Sequence, residues 1–201
     1  MLNPGETIEA INKSCKILFT ESTFFLHPSS ANRFRISGNN PSKAINNYNN
    51  SLEEVTVIKW FENFWIYVDI RFENENTFIS ISVFQGEAAT SYKHQLFRAE
   101  WDDYNSLEER HPQPHWHITA NQVIEKTFEE LAEMEEDSDT FLSLLNEEKS
   151  KIVDINKIHF AMCGNWAEAQ PHVYRLDDRE KIAKWFQGLL AYIREQLEYV
   201  S

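Results

Sequence analysis

Between Glu54 and Trp101 apolar and polar residues alternate at period two through several successive segments, and few folds accommodate that pattern. VTVIKWF (55–61) is β-branched and aromatic. FWIYVDIRF (64–72) places Phe64, Ile66, Val68, Ile70 and Phe72 on one face and Trp65, Tyr67, Asp69 and Arg71 on the other. TFISISVF (77–84) sets Phe78, Ser80 and Ser82 against Ile79, Ile81 and Val83, and the run resumes over Tyr92 to Trp101. Links as short as Glu73-Asn74-Glu75-Asn76 allow only antiparallel pairing, because parallel neighbours need long crossovers. NRFRIS (32–37) supplies a further strand, and Gly38 to Ser51, GNNPSKAINNYNNS, reads as an exposed loop, the segment expected to be most mobile.

Helical periodicity flanks this core. Ile8, Ile11, Cys15, Leu18 and Phe19 share a face after a Pro4-Gly5 turn. Val123, Ile124, Thr127, Phe128, Leu131 and Met134 do so later, followed by a shorter helix at 139–149 and a strand at 152–163. The last helix is capped by Asp177 or Asp178 and carries a stripe of Ile182, Trp185, Phe186, Leu189, Leu190, Ile193 and Leu197. With 201 residues, 42% of them hydrophobic, the chain can bury one substantial core. The expected fold is a single α+β domain over 1–201. It would have an antiparallel sheet of five to seven strands, helices on one face and a long C-terminal helix.

Chemistry concentrates in Leu96 to Ala120, LFRAEWDDYNSLEERHPQPHWHITA. Arg98, Glu100 and Asp102 share one face of its first strand, opposite Phe97, Ala99 and Trp101. His115, His117 and Thr119 share one face of the second, opposite Trp116 and Ile118. If the apolar faces pack on the core, Arg98, Glu100, Asp102, His115 and His117 form one polar surface, with Asp69 and Arg71 one strand further and His159 on a later strand. A His-x-His pair on a strand presents both imidazoles to one side, which suits a divalent metal or a proton relay. In the metal reading His115 and His117 ligate and Asp102 or Glu100 supplies an oxygen; zinc fits, or manganese with more oxygens. In the metal-free reading one histidine is general base, the other general acid, and Arg98 holds a phosphate.

The same stretch resembles small toxin-like proteins of prokaryotic toxin–antitoxin and defence loci. In these an Arg-aromatic-Asp strand precedes a His-Pro-rich segment, a His-x-His strand and a helix. Arg98-Ala99-Glu100 stands where Arg-aromatic-Asp is expected, and His111-Pro112 with His115-Trp116-His117 matches the second part. The resemblance covers only this stretch, and Glu100 departs from it. It implies a nuclease-like or translation-interfering activity carried by Arg98, Glu100 or Asp102, His115 and His117. Two other histidine motifs are incomplete: Thr119 stands where the histidine-triad nucleotide hydrolases have their third histidine. Ala161 stands where the two-histidine phosphoesterases need a hydroxyl.

The formal net charge of −13, without clustered Lys and Arg, argues against a general nucleic-acid-binding surface, but not against one local basic spot. Five glycines and the lack of a phosphate loop or dinucleotide fingerprint argue against a nucleotide cofactor. No apolar run reaches the length of a membrane helix. Two cysteines and an N-terminus without an apolar leader pattern point to reduced thiols in the cytoplasm. Two functions fit. One is a phosphodiester- or nucleotide-processing enzyme using the histidine face. The other is a non-catalytic accessory or inhibitor subunit, binding a protein partner through the aromatic face at Trp65 and Tyr67 and the acidic run from Glu129 to Asp137.

Overall fold

The computed structural model describes residues 2–20, 23–48, 51–73, 76–89, 93–102, 113–118 and 178–201. The helices expected near 121–136 and at 139–149, the strand at 152–163, and His111, Thr119 and His159 lie outside the described residues.

Helix α1 (Pro4–Cys15) starts where the sequence can cap it. The Asn3 side chain accepts from the Glu6 N–H, proline opens the first turn, and Ile8, Ile11 and Cys15 form the buried stripe. A 3-10 turn (Lys16–Leu18) follows. Then come β1 (Phe25–Ser30), β2 (Arg33–Ser37), β3 (Pro41–Tyr48), β4 (Ser51–Phe61), β5 (Phe64–Glu73), β6 (Asn76–Gln85), β7 (His94–Asp102) and β8 (His115–Ile118). Helix α2 (Arg179–Val200) closes the described chain, and its cap is Asp178, which accepts from the Lys181 N–H at 2.8 Å. No helix among the described residues is long and apolar enough to cross a membrane.

The strands form one antiparallel sheet in the order β1-β2-β5-β6-β7-β8. Strand β4 serves two neighbours: its first part pairs with β3 (Tyr48↔Ser51 to Pro41↔Ile58), its last with β5 (Ile58↔Ile66, Phe61↔Phe64). The fold is thus α+β as expected, with eight strands among the described residues. The asparagine-rich segment is a correction: residues 41–48 are strand β3 rather than a loop. Its polar residues mislead because they bond inward: Ser82 Oγ donates to the Asn46 side chain at Oδ1, 2.8 Å, and the Asn47 backbone N–H donates to Gln95 Oε1 at 2.6 Å.

The alternation assigns the two faces of the sheet. Ile66, Val68 and Ile70 on β5 stand opposite Val83, Ile81 and Ile79 on β6, which in turn face Phe97, Ala99 and Trp101 on β7; all are buried. The helices belong to this side. Phe24 packs on Phe186 of α2, Phe19 stacks on Trp60 at 5.9 Å, and the Trp60 indole donates to the Leu18 carbonyl at 3.2 Å. Across the other face lies the β3–β4 hairpin. Tyr48 meets the Arg98 and Arg71 guanidiniums and the Phe78 ring, while Glu53 approaches Arg35. The polar face is therefore a buried layer between sheet and hairpin. Trp65 and Tyr67, expected to offer an aromatic docking face, are instead buried in it, at 3% and 5% exposed.

Candidate metal centre

Register brings the chemistry together. Glu100 on β7 pairs with His115 on β8, and Arg98 pairs with His117. What sets that register is the other face of β8. Trp116 lies opposite Ala99 and packs its ring against Phe97 at 5.6 Å, edge to face. A slip of one residue would turn both imidazoles to the helix side. At the other end of the pairing, the Asp102 N–H donates to Gln113 Oε1 at 2.9 Å.

Three donor atoms converge as a result. His117 Nε2 lies 3.0 Å from Glu100 Oε2, His115 Nε2 lies 3.6 Å from the same oxygen, and the two Nε2 atoms are 2.7 Å apart. Among the described residues this is the one group of three or more His, Cys, Asp or Glu side chains close enough to share an ion. A tetrahedral ion with bonds of about 2.0–2.2 Å needs donors roughly 3.3 Å apart, so the three atoms already stand near the edges of such a polyhedron. Two imidazoles and one carboxylate is also a donor set used by catalytic zinc, which leaves a position open.

The carboxylate in this group is Glu100. Asp102 shares the strand face but pairs with Phe78, one step beyond the residue opposite His115. Of the two carboxylates the sequence offers as a third ligand, Asp102 and Glu100, it is Glu100 that groups with His115 and His117. Arg98 also takes a different part from the one expected. Its side chain is 3% exposed, its Nε lies 2.6 Å from Glu100 Oε1, and its guanidinium also donates to the Asn47 carbonyl and sits over the Tyr48 ring. Enclosed in this way, its guanidinium lies against Glu100, Asn47 and Tyr48 rather than open to solvent. A partner fixing the non-ligating oxygen of a carboxylate is a common support for a metal ligand.

Electrostatics favour the forms a metal needs. Burial alone would raise the Glu100 pKa, but the His115 imidazole, Arg98 and His117 outweigh it and hold the carboxyl below its ordinary value. Burial and the Arg98 charge lower the His117 pKa, against the opposing pull of Glu100. A lowered imidazole is neutral through the physiological range, with its nitrogen lone pair free to ligate. The unfolded chain then binds more protons than the folded one below about pH 6.5, so His117 withdraws stability as the pH falls through that value. Metal affinity should fall as acid protonates the ligating imidazoles, read by isothermal titration from about pH 8 to 5.5; affinity that does not change over that range would contradict ligation by imidazole.

Asp69 and Arg71 are on the same face but two strands from β7, since β6 with Ser80 and Ser82 intervenes. The sequence reading did not place Arg33 and Arg35 in the layer. Their spacing in NRFRIS was the available signal, since it puts both on one face of β2, paired with Arg71 and Asp69. Comparison with protein families, curated proteins and solved structures finds no match to this chain.

Proposed function

We propose that Glu100, His115 and His117 hold a divalent cation and that the protein is a metal-dependent hydrolase of phosphodiesters or nucleotides. The observation that carries this reading is the convergence of Glu100 Oε2 and both Nε2 atoms within 2.7–3.6 Å of one another. His117, at 40% side-chain exposure, is where the centre meets solvent, while His115 at 11% and Glu100 at 7% anchor it. A cation held there would supply Lewis-acid activation of water for cleavage of a phosphodiester P–O bond, one water being consumed for each ester cleaved. Glu100 and the two imidazoles would hold it, Arg98 would fix the second oxygen of Glu100, and Asp102 is the other acidic side chain on that face of β7.

The test is metal content by mass spectrometry on protein purified without an affinity tag, wild type beside His115→Ala/His117→Ala. About one equivalent of zinc or manganese is expected in the wild type, or on titration with either ion, and at least a tenfold loss of affinity in the double variant. Hydrolysis of bis(p-nitrophenyl) phosphate should follow the metal and stop with a chelator. Saturable binding that the double variant retains, or no binding by the wild type, would remove the reading.

The 2.7 Å contact between the two Nε2 atoms supports a second reading, in which the imidazoles share a proton and act as an acid–base pair without metal. Activity that survives a chelator and shows a bell-shaped pH profile would favour it.

A further inference from the structure

We propose that Arg33, Arg35, Arg71 and Tyr67 form a binding site for a phosphate group under the β3–β4 hairpin, separate from the metal centre. The inference gives the hydrolase reading above a substrate subsite, but it stands on its own geometry.

Three guanidiniums surround one buried carboxylate. Arg33 holds Asp69 with both arms, Nε to Oδ1 at 2.6 Å and Nη2 to Oδ2 at 2.9 Å. That fork uses the best-aligned lone pairs of the carboxylate. Arg71 Nε is left 3.2 Å from Oδ2 and Arg35 Nε 3.7 Å from Oδ1, and both Nε atoms are buried without a hydrogen bond among the described residues. The second carboxylate nearby, Glu53, approaches Arg35 only to 3.7 Å and is 54% exposed. Three positive charges thus face one buried and one solvated negative charge, in a chain whose overall balance is −13.

Tyr67 adds an independent observation. Its side chain is buried and its hydroxyl has no hydrogen-bond partner among the described residues. A buried donor left unmade costs about 1–3 kcal/mol, and native structures keep few of them. Tyr67, Arg33 and Arg71 line a cavity of about 200 Å³ with Asp69, Asn46 and Ser80. Tyr67 and Arg35 also line the adjoining cavity of about 440 Å³. Each is many times the space one water needs. The three arginines remain a quarter to a third exposed, so a ligand can reach them. An anion with several acceptor oxygens satisfies this set: planar donors for bidentate contacts, a hydroxyl and surplus positive charge. Phosphate fits better than a carboxylate, which offers fewer acceptors than the cluster has donors.

Position ties the subsite to the metal centre. Asp69 pairs with Ser80, and Ser80 with Glu100, so two strand spacings, about 10 Å, separate the two places along one face. A phosphate held here is therefore a second phosphate of a substrate and not the one under attack.

The experiment measures inorganic phosphate binding by calorimetry in the presence of chelator. It compares wild type with Arg35→Gln/Arg71→Gln, Tyr67→Phe and His115→Ala/His117→Ala. Saturable, salt-sensitive binding is expected in the wild type and in the histidine variant. The arginine variant should lose at least tenfold in affinity, and Tyr67→Phe several-fold with an unchanged melting temperature. A 5′-phosphorylated dinucleotide should bind more tightly than inorganic phosphate if the group belongs to a substrate; equal affinity would assign the subsite to free phosphate. Absence of phosphate binding, or its loss in the histidine variant with the arginine variant unaffected, would overturn the proposal. Because chelator is present throughout, a failed metal site leaves this outcome untouched. Should the arginine variant not fold, Tyr67→Phe decides alone, and unchanged affinity there would also overturn it.

Discussion

Glu100→Ala is expected to abolish metal binding and to destabilise the protein by about 3–5 kcal/mol. Both effects have one origin. The carboxylate contributes one oxygen to the imidazole pair and the other to Arg98, at 3.0 Å and 2.6 Å. Removing it leaves a guanidinium that is 3% exposed facing no charge, and the uncompensated ion dominates the loss. Glu100→Gln keeps the shape and separates the two effects: metal affinity should still fall, while the amide oxygen retains part of the contact to Arg98. Urea unfolding of the three proteins, with and without chelator, measures both. A Glu100→Ala protein as stable as wild type would mean that the β3–β4 hairpin does not shield the pair from water.

Trp60→Ala should cost a similar 3–5 kcal/mol and leave metal stoichiometry unchanged. Trp60 is fully buried on the opposite side of the sheet, with its ring 5.9 Å from Phe19 and 5.2 Å from Phe61. It also holds the chain after α1, through its indole N–H and the Leu18 carbonyl. Removing it opens a cavity between helices and sheet and leaves the Leu18 carbonyl to Arg194 alone, while the β7–β8 register depends on Trp116 and Phe97 elsewhere. A stability loss below about 1 kcal/mol would show that the helices are not seated on the sheet as described. Together the two substitutions test both layers that cover the sheet.

What the sequence displayed, and what it hid, follow from the range over which each signal acts. Period-two alternation is local, so the faces of β5, β6, β7 and β8 were legible. Arg98, Glu100, His115 and His117 do share a side. Which carboxylate meets the histidines is a matter of register between β7 and β8. The packing of Trp116 on Phe97 fixes that register, and no pattern within either strand reveals it; hence the sequence left Asp102 and Glu100 as alternatives, and it is Glu100 that lies beside the two imidazoles. The asparagine-rich strand β3 reads as a loop because a side chain that bonds inward, as Asn46 does to Ser82, looks in sequence like one that faces water. The burial of Trp65 and Tyr67 is likewise made by residues distant in sequence: Tyr67 faces the hairpin at Asn46 and Glu53, and Trp65 lies against Lys93 with its indole N–H on the Gly86 carbonyl. Arg33 and Arg35 reach Asp69 only because β2 pairs with β5 past the whole β3–β4 excursion.

The two helices packed beneath the sheet stand at opposite ends of the described chain, and they pack on one another, with Arg179 of α2 paired to Glu6 of α1 and Arg194 reaching the Leu18 carbonyl. During synthesis α1 emerges on the order of ten seconds or more before α2 does. Until then Asn12, bonded to both backbone groups of Leu26, can moor α1 to β1, but the apolar stripe of Ile8, Ile11 and Cys15 lacks its final cover. The Cys15 thiol, pushed up to about 12 by burial in the finished protein, is an ordinary titratable thiol in that interval. The nascent chain is thus more open to chaperones and oxidants than the finished protein, and the docking of α2 ends that exposure.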